Sequence, residues 1–347
     1  MTHRLDRTIG AVHGLALGDA LGSPASEHRT VRDPWVRQML RKGALELDES
    51  KVLRPVVPFV LTAVDSPSLV ATDDTETFAV AARVLLEAPG WDQDGLFDTW
   101  RTLLDTPDTW TGAAQRSALL NAAAGLRPPH TGADNPAFYD DTALPGALAA
   151  AIATADPASA AGLARTYATI THDAVGVHAA AAFARLLGHL LQGAAIGDAL
   201  GAVDEDLAAD DWLADGVRDA LRIAAEARSP FAAVPPLVAR FAPRTYSHSG
   251  TVAETLPLAV AILVLAEGDH ETALPLALSV TRHQDSLPAL VGALCGAAGS
   301  ALDAGDLDML HGVTVPAVTG RSLAELATAL STVRLRFPEV SDPADGR

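Results

Sequence analysis

Helical periodicity constrains this chain more than any other feature, because it runs through nearly every segment long enough to show one. Apolar residues recur at three- and four-residue intervals. In "LDRTIGAVHGLALGDALG", Ile9, Val12, Leu15, Ala16 and Leu17 fall roughly on one face. The same period predicts helices over 75–88, 94–105, 111–126, 143–155, 158–170, 174–194, 204–228, 251–266, 270–281, 286–303 and 321–335. The breakers "EAPGWDQDG", "LRPPHTGADNP", "RSPFAAVPP" and "EGDH" separate them. Strand-like alternation is nearly absent. The β-branched run "VLRPVVPFVLTAV" (52–64) carries two prolines and reads as an extended loop. No linker divides the 347 residues. The expectation is an all-α single domain over 1–337, with a frayed tail at 338–347.

Composition sharpens this reading. The chain is 49% hydrophobic but only 5% aromatic, so its core is built from small aliphatic side chains, which suits closely packed helices. Trp91, Trp100, Trp110 and Trp212 are spread along loops and helix ends and read as packing anchors. The formal charge of −18 argues against non-specific nucleic-acid or anionic-membrane binding. A phosphorylated small molecule stays compatible if a metal or local dipoles attract it. Cys295 is the one cysteine, so no intrachain disulfide forms and a reducing compartment is expected. It reads as a small buried apolar residue. The apolar run at the N-terminus is too short and glycine-broken for a signal peptide or a membrane span, and a cytoplasmic location is expected. The run "DEDLAADDWLAD" (204–215) reads as a solvated acidic face.

Two carboxylate clusters carry the candidate chemistry. In "ATDDTETF", Thr72, Asp73, Asp74 and Thr75 crowd four oxygen-bearing side chains into one turn just before an alanine-rich helix. Asp73 with Glu76 can form a capping box, and acidic groups suit the positive end of the helix dipole. A cap needs one acceptor, however, and adjacent carboxylates repel unless a cation or solvent separates them, so a hard-cation site is the other reading. Downstream, Asp285 and Ser286 stand just before Leu287-Pro288, at the start of a helix in which Gly292, Gly296 and Gly299 recur. Glycines inside a helix cost about 1 kcal/mol each against alanine, and close packing on another helix would offset them. One arrangement satisfies both clusters: two helix N-termini that meet, with Thr72, Asp73 and Asp74 facing Asp285 and Ser286. "LGDALGS" (17–23) recurs as "IGDALGA" (196–202) without matching flanks. The second copy reads as coincidence or a helix ending on Gly201. In the first copy Gly18 and Gly22 share a face, and Asp19 is open to either a structural or a functional role.

These residues resemble the ADP-ribosylglycohydrolase family. "GLALGDALGSP" (14–24) is similar to its N-terminal G-x-x-x-GDALG-x-P. "TDDTE" (72–76) matches its metal motif, "ITHDAVGVHAAAAFARLL" (170–187) its central T-H segment, and residues 253–302 its C-terminal helices. The resemblance implies an orthogonal helical bundle. It also implies a binuclear Mg²⁺ or Mn²⁺ centre that hydrolyses the C1″ bond between ADP-ribose and an acceptor. Thr72, Asp73 and Asp74 match the first ligand cluster. In the second, Asp285 matches the second aspartate, Ser286 keeps the hydroxyl of a threonine, and His283 replaces the first aspartate. Three carboxylates where the family has four point to one hard cation, a changed metal, or none.

Further correspondences name the substrate side. Asp19 belongs to the GDALG segment and His172 to the T-H position. A family glutamate that follows GDALG-x-P matches Ser26, with Glu27 one residue late. The family's N-G-x-x-M-R segment corresponds to "LPGALAAA" (144–151), where Gly146 survives but the asparagine and arginine are gone. That loss weakens pyrophosphate recognition. Tyr246, Ser247 and Gly250 lie where the family has a pocket-lining loop. The resemblance therefore implies a metal-dependent hydrolase of a ribosyl glycosidic bond, with Asp74 or Glu27 as general base and a small-molecule or ADP-ribosylated substrate. A catalytically silent member that binds an ADP-ribose-like ligand or a protein partner is the alternative.

Overall fold

The computed structural model describes residues 2–30, 69–106, 109, 111–242, 250–280, 283, 286–302, 310–311, 318, 320 and 322–333, with backbone alone at 2, 23–30, 69–70 and 310–311. The 52–64 segment, Trp110 and the 338–347 tail lie outside these residues. The helices are α1 (Thr2–Thr30), α2 (Asp73–Glu87), α3 (Gln93–Leu104), α4 (Ala113–Ala123), α5 (His130–Ala133), α6 (Ala143–Ala153), α7 (Pro157–Ala168) and α8 (Ala174–Leu191). They continue with α9 (Ile196–Gly201), α10 (Asp204–Leu207), α11 (Asp211–Glu226), α12 (Val234–Phe241), α13 (Val252–Leu265), α14 (His270–Leu278), α15 (Leu287–Ala298) and α16 (Leu323–Val333). Pairing of Leu69–Val70 with Leu310–His311, a two-residue parallel bridge, is the only strand ladder among the described residues. The fold is all-α, as the periodicity predicts.

Local chemistry explains where the expected boundaries move. The span read as one helix over 204–228 is two, because the Asp210 carboxylate accepts from Leu213 N at 3.0 Å and starts α11 afresh. The segment read as a breaker, "RSPFAAVPP", instead holds a 3-10 turn (Pro230–Ala233) and the start of α12. Its prolines sit in first turns, where the missing N–H breaks no helical bond. The second "GDALG" ends a helix at Gly201, as its glycine suggests.

Alanine dominates the core. Every residue of α6 is buried, and α8 packs against both α6 and α7. Helix α8 is long and apolar enough to cross a membrane by length and composition, yet most of it is enclosed by other helices. Trp91 and Trp100 are buried, whereas Trp212 is about half exposed. Cys295 is fully buried, and burial pushes its thiol up to about 12. The acidic run 204–215 is mostly exposed, as expected, but Asp206 turns inward and pairs with Arg165 at 3.0 Å and with Arg185.

Helix α1 organises the rest. Arg7 Nη1 donates to Leu190 O at 3.0 Å and Ala297 O at 2.9 Å, and so caps the C-terminal ends of α8 and α15 together. Arg4 Nη2 donates to Ala151 O and Thr154 O at the end of α6. Cations at helix C-termini meet both the orphan carbonyls and the negative dipole end. Along its length α1 lies against α15 through two glycine pairs and the contact of Gly18 with Pro288. A Cβ on Gly292 would stand 2.0 Å from Gly14 O, and one on Gly296 would stand 2.2 Å from Gly10 O. One on Gly18 would stand 2.0 Å from Pro288 O. This backbone-to-backbone contact is what offsets the helix-propensity cost of those glycines.

Candidate metal centre

The first turn of α2 is held by a residue 53 positions upstream. Asp19 Oδ2 accepts from Thr72 N at 2.8 Å, Thr75 N at 3.0 Å and Thr75 Oγ1, and Asp19 Oδ1 accepts from Thr72 Oγ1. Thr72 occupies the N-cap position but makes no capping bond with its own side chain. The expected capping box of Asp73 and Glu76 therefore does not start this helix. Asp73 is already the first helical residue, and Asp19 supplies the cap from α1. Asp73 and Asp74 lie in that first turn. Oxygens of Asp19, Asp73 and Asp74 lie within 4.8 Å of one another, a grouping that could hold a metal ion. Asp19 and Asp74 are buried and Asp73 half-buried. Burial pushes the Asp19 carboxyl up to about 6, against the opposing pull of its threonine and backbone donors.

The second cluster begins at the same turn of α1. Gly18, next to Asp19, is the residue pressed onto Pro288 in the first turn of α15. The starts of α2 and α15 therefore both adjoin the Gly18-Asp19 turn of α1. At the start of α15, Ser286 is the N-cap residue, and its hydroxyl donates to Asp141 Oδ1 at 3.2 Å. Thr255 Oγ1, on α13, donates to Asp141 Oδ2 at 2.7 Å. Asp141 N donates to Gly250 O at 2.8 Å. Asp141 is buried and was not singled out from the sequence, where the one available signal is the Asp140-Asp141 pair just before α6. Its partners lie 114 and 145 residues away, beyond any local pattern.

The remaining candidates are spread over several places. His283 is fully buried, and its Nε2 faces Phe241 O at 3.1 Å and Glu254 Oε2 at 3.2 Å. Both partners accept, so Nε2 carries the proton, while Nδ1 lies 3.5 Å from Thr255 Oγ1. His172 is also buried. Its Nε2 bonds Asp140 Oδ1 at 2.8 Å and its Nδ1 bonds Thr171 Oγ1 at 2.7 Å, which leaves the ring as a tie between the chain before α6 and the start of α8. Gly146 lies inside α6 beneath Tyr167, where a Cβ would stand 2.9 Å from the ring. Gly250 has a left-handed φ of 82°, and a Cβ there would stand 3.0 Å from Asp141 Oδ1. The side chain of Glu27, on α1, and Tyr246, Ser247 and Asp285 lie outside the described residues.

A profile of the ADP-ribosylglycohydrolase family matches residues 1–336. The chain belongs to this family. A solved structure titled "ADP-ribosylglycohydrolase-related protein complex" shares its fold at 22% identity and a TM-score of 0.59, covering 96% of this chain and 100% of the other. No curated protein matches the sequence. ADP-ribosylglycohydrolases are typically divalent-metal dependent, and the donor set here fits such an ion. The carboxylates of Asp73 and Asp74 are hard oxygen donors. Asp19 is part of the same group and accepts three hydrogen bonds at Oδ2 but only one at Oδ1. Its place is to orient the turn that carries Asp73 and Asp74.

Proposed function

We propose that this ADP-ribosylglycohydrolase family member cleaves a ribosyl glycosidic bond, ADP-ribosyl or related, N- or O-linked, with Mg²⁺ or Mn²⁺. The observation that carries the reading is the grouping of Asp19, Asp73 and Asp74, whose oxygens lie within 4.8 Å of one another where Asp19 caps α2. Thr72, Asp73, Asp74, Asp285 and Ser286 are the ligands in this reading. A bound divalent cation supplies Lewis acidity and a template for ribose hydroxyls. The chain's own contribution is charge placed where the sugar becomes positive. Buried carboxylates beside C1″ stabilise an oxocarbenium-like transition state, and Asp74 or Glu27 removes a proton from the attacking water. The alanine-lined α6, with no arginine at the Gly146 segment, favours a substrate that relies less on pyrophosphate contacts. Mg²⁺ and Mn²⁺ are preferred because the carboxylate and hydroxyl donors of the reading are hard oxygen ligands. A cytoplasmic setting accords with the buried, unpaired Cys295.

The position of His283 also favours a second reading, in which the protein binds an ADP-ribose-like ligand or a protein partner without turnover. One experiment separates the two. Purified protein with Mg²⁺ or Mn²⁺ is given arginine- and serine-linked ADP-ribosyl peptides, and released ADP-ribose is measured beside calorimetric binding of ADP-ribose. Metal-dependent release supports the hydrolase. Binding with no release supports the silent reading, and neither binding nor release rejects both.

A further inference from the structure

We propose that Asp141 is a positioning residue of this centre, acting through Ser286. The proposal rests on the metal-dependent reading above and adds to it a residue that the ligand motifs do not contain. Ser286 stands at the N-cap of α15, where a serine hydroxyl ordinarily accepts from the N–H groups of the first turn. Here it makes no such bond. Its proton goes to Asp141 Oδ1 at 3.2 Å instead. A hydroxyl has one proton and two lone pairs, and an ionised carboxylate can only accept. The contact therefore fixes the direction of the proton and leaves both lone pairs outside the helix cap. That is the state a serine needs to serve as an oxygen ligand.

The surroundings hold Asp141 in that task. Thr255 Oγ1 fixes the other carboxylate oxygen at 2.7 Å. Gly250, with its left-handed backbone, lets the chain pass so close that a Cβ would stand 3.0 Å from Asp141 Oδ1, and Gly250 O receives Asp141 N at 2.8 Å. Elements distant in sequence, the start of α6, the start of α13 and the start of α15, are joined at one carboxylate. The nearby imidazole of His283 directs its Nε2 at Phe241 O and Glu254, away from Ser286.

The test is Mn²⁺ binding by the full-length protein, followed by the loss of the free-ion paramagnetic resonance signal, with metal-free thermal melting as a second readout. Partners that orient metal ligands typically contribute about 10- to 100-fold in affinity. Asp141→Asn should therefore raise the Mn²⁺ dissociation constant by about that factor and leave the metal-free melting point near the wild-type value. In a Ser286→Ala background the same substitution should cause little further loss, since Asp141 acts through that hydroxyl. An unchanged dissociation constant in Asp141→Asn overturns the proposal, as does an independent second loss in the double variant. If Asp141→Asn does not fold, Asp141→Glu, which keeps the charge and shifts the oxygens by one methylene, should weaken Mn²⁺ binding, and unchanged binding overturns the proposal. Wild-type protein that binds no Mn²⁺ rejects the metal reading itself, an outcome distinct from an inert Asp141.

Discussion

Replacing Gly292 with alanine tests whether the glycine seam of α1 and α15 holds the two clusters together. The new Cβ would stand 2.0 Å from Gly14 O and 2.6 Å from Gly14 C. Both are backbone atoms of a helix, so no side-chain rotation relieves the clash, and the helices must part by about 1 Å before the contact becomes tolerable. A gap of 0.5–1 Å forfeits about a quarter to a half of the dispersion energy of each contact it opens. Overpacking usually costs about 1–3 kcal/mol. With rigid backbone on both sides we expect about 4 kcal/mol. The better helix propensity of alanine returns about 1 kcal/mol, for a net loss of about 3 kcal/mol. Gly162→Ala is the control: it lies in α7 with nothing within 4 Å of its Cβ position, and should gain up to about 1 kcal/mol. The measurement is urea unfolding of both variants by circular dichroism, with the slope checked against wild type. Because the seam brings Gly18 onto Pro288, Gly292→Ala should also weaken Mn²⁺ binding. Equal stability of the two variants would refute the reasoning.

Other perturbations follow from single contacts. His283→Asp sets a carboxylate against Glu254 and the Phe241 carbonyl in a buried site. It should cost about 3 kcal/mol in urea unfolding and should not tighten Mn²⁺ binding; a tighter Mn²⁺ site would show that position 283 faces the ion. Arg7→Met keeps the stem but removes donors to the ends of α8 and α15. A loss of about 2–4 kcal/mol is expected from two charge-assisted bonds, and an unchanged unfolding midpoint would deny the capping role. Burial holds the His270 imidazole below its ordinary value of 6.5, partly opposed by its bond to Gly292 O. The folded protein thus binds fewer protons at this site than the unfolded chain. Its contribution is full above pH 6.5 and is lost as pH falls through the depressed folded value. His270→Asn should flatten the acid side of the stability profile between pH 7 and 5, and parallel profiles would contradict this.

Much of this was legible in the linear chain, for a definite reason. Helix positions follow from a 3.6-residue period that each segment carries within itself. The misreadings occur where one residue overrides the period, as Asp210 does by capping α11, or where prolines begin a helix. The pairing of glycine-spaced helices could be anticipated, because helix-interior glycines need close packing to offset their cost. The resemblance carried by TDDTE and GDALG pointed to the family that the match over residues 1–336 then showed.

The sequence by itself thus determined the helices, the small-residue core and the two oxygen-rich turns, because those depend on near neighbours and composition. Only the tertiary structure decided what each polar group does. It made Asp19 the cap of α2, brought Asp141 to Ser286 and turned His283 Nε2 onto Phe241 O and Glu254. Each of these is a hydrogen bond across tens of residues or more, formed because burial obliges a polar side chain to find whichever partner the packing supplies.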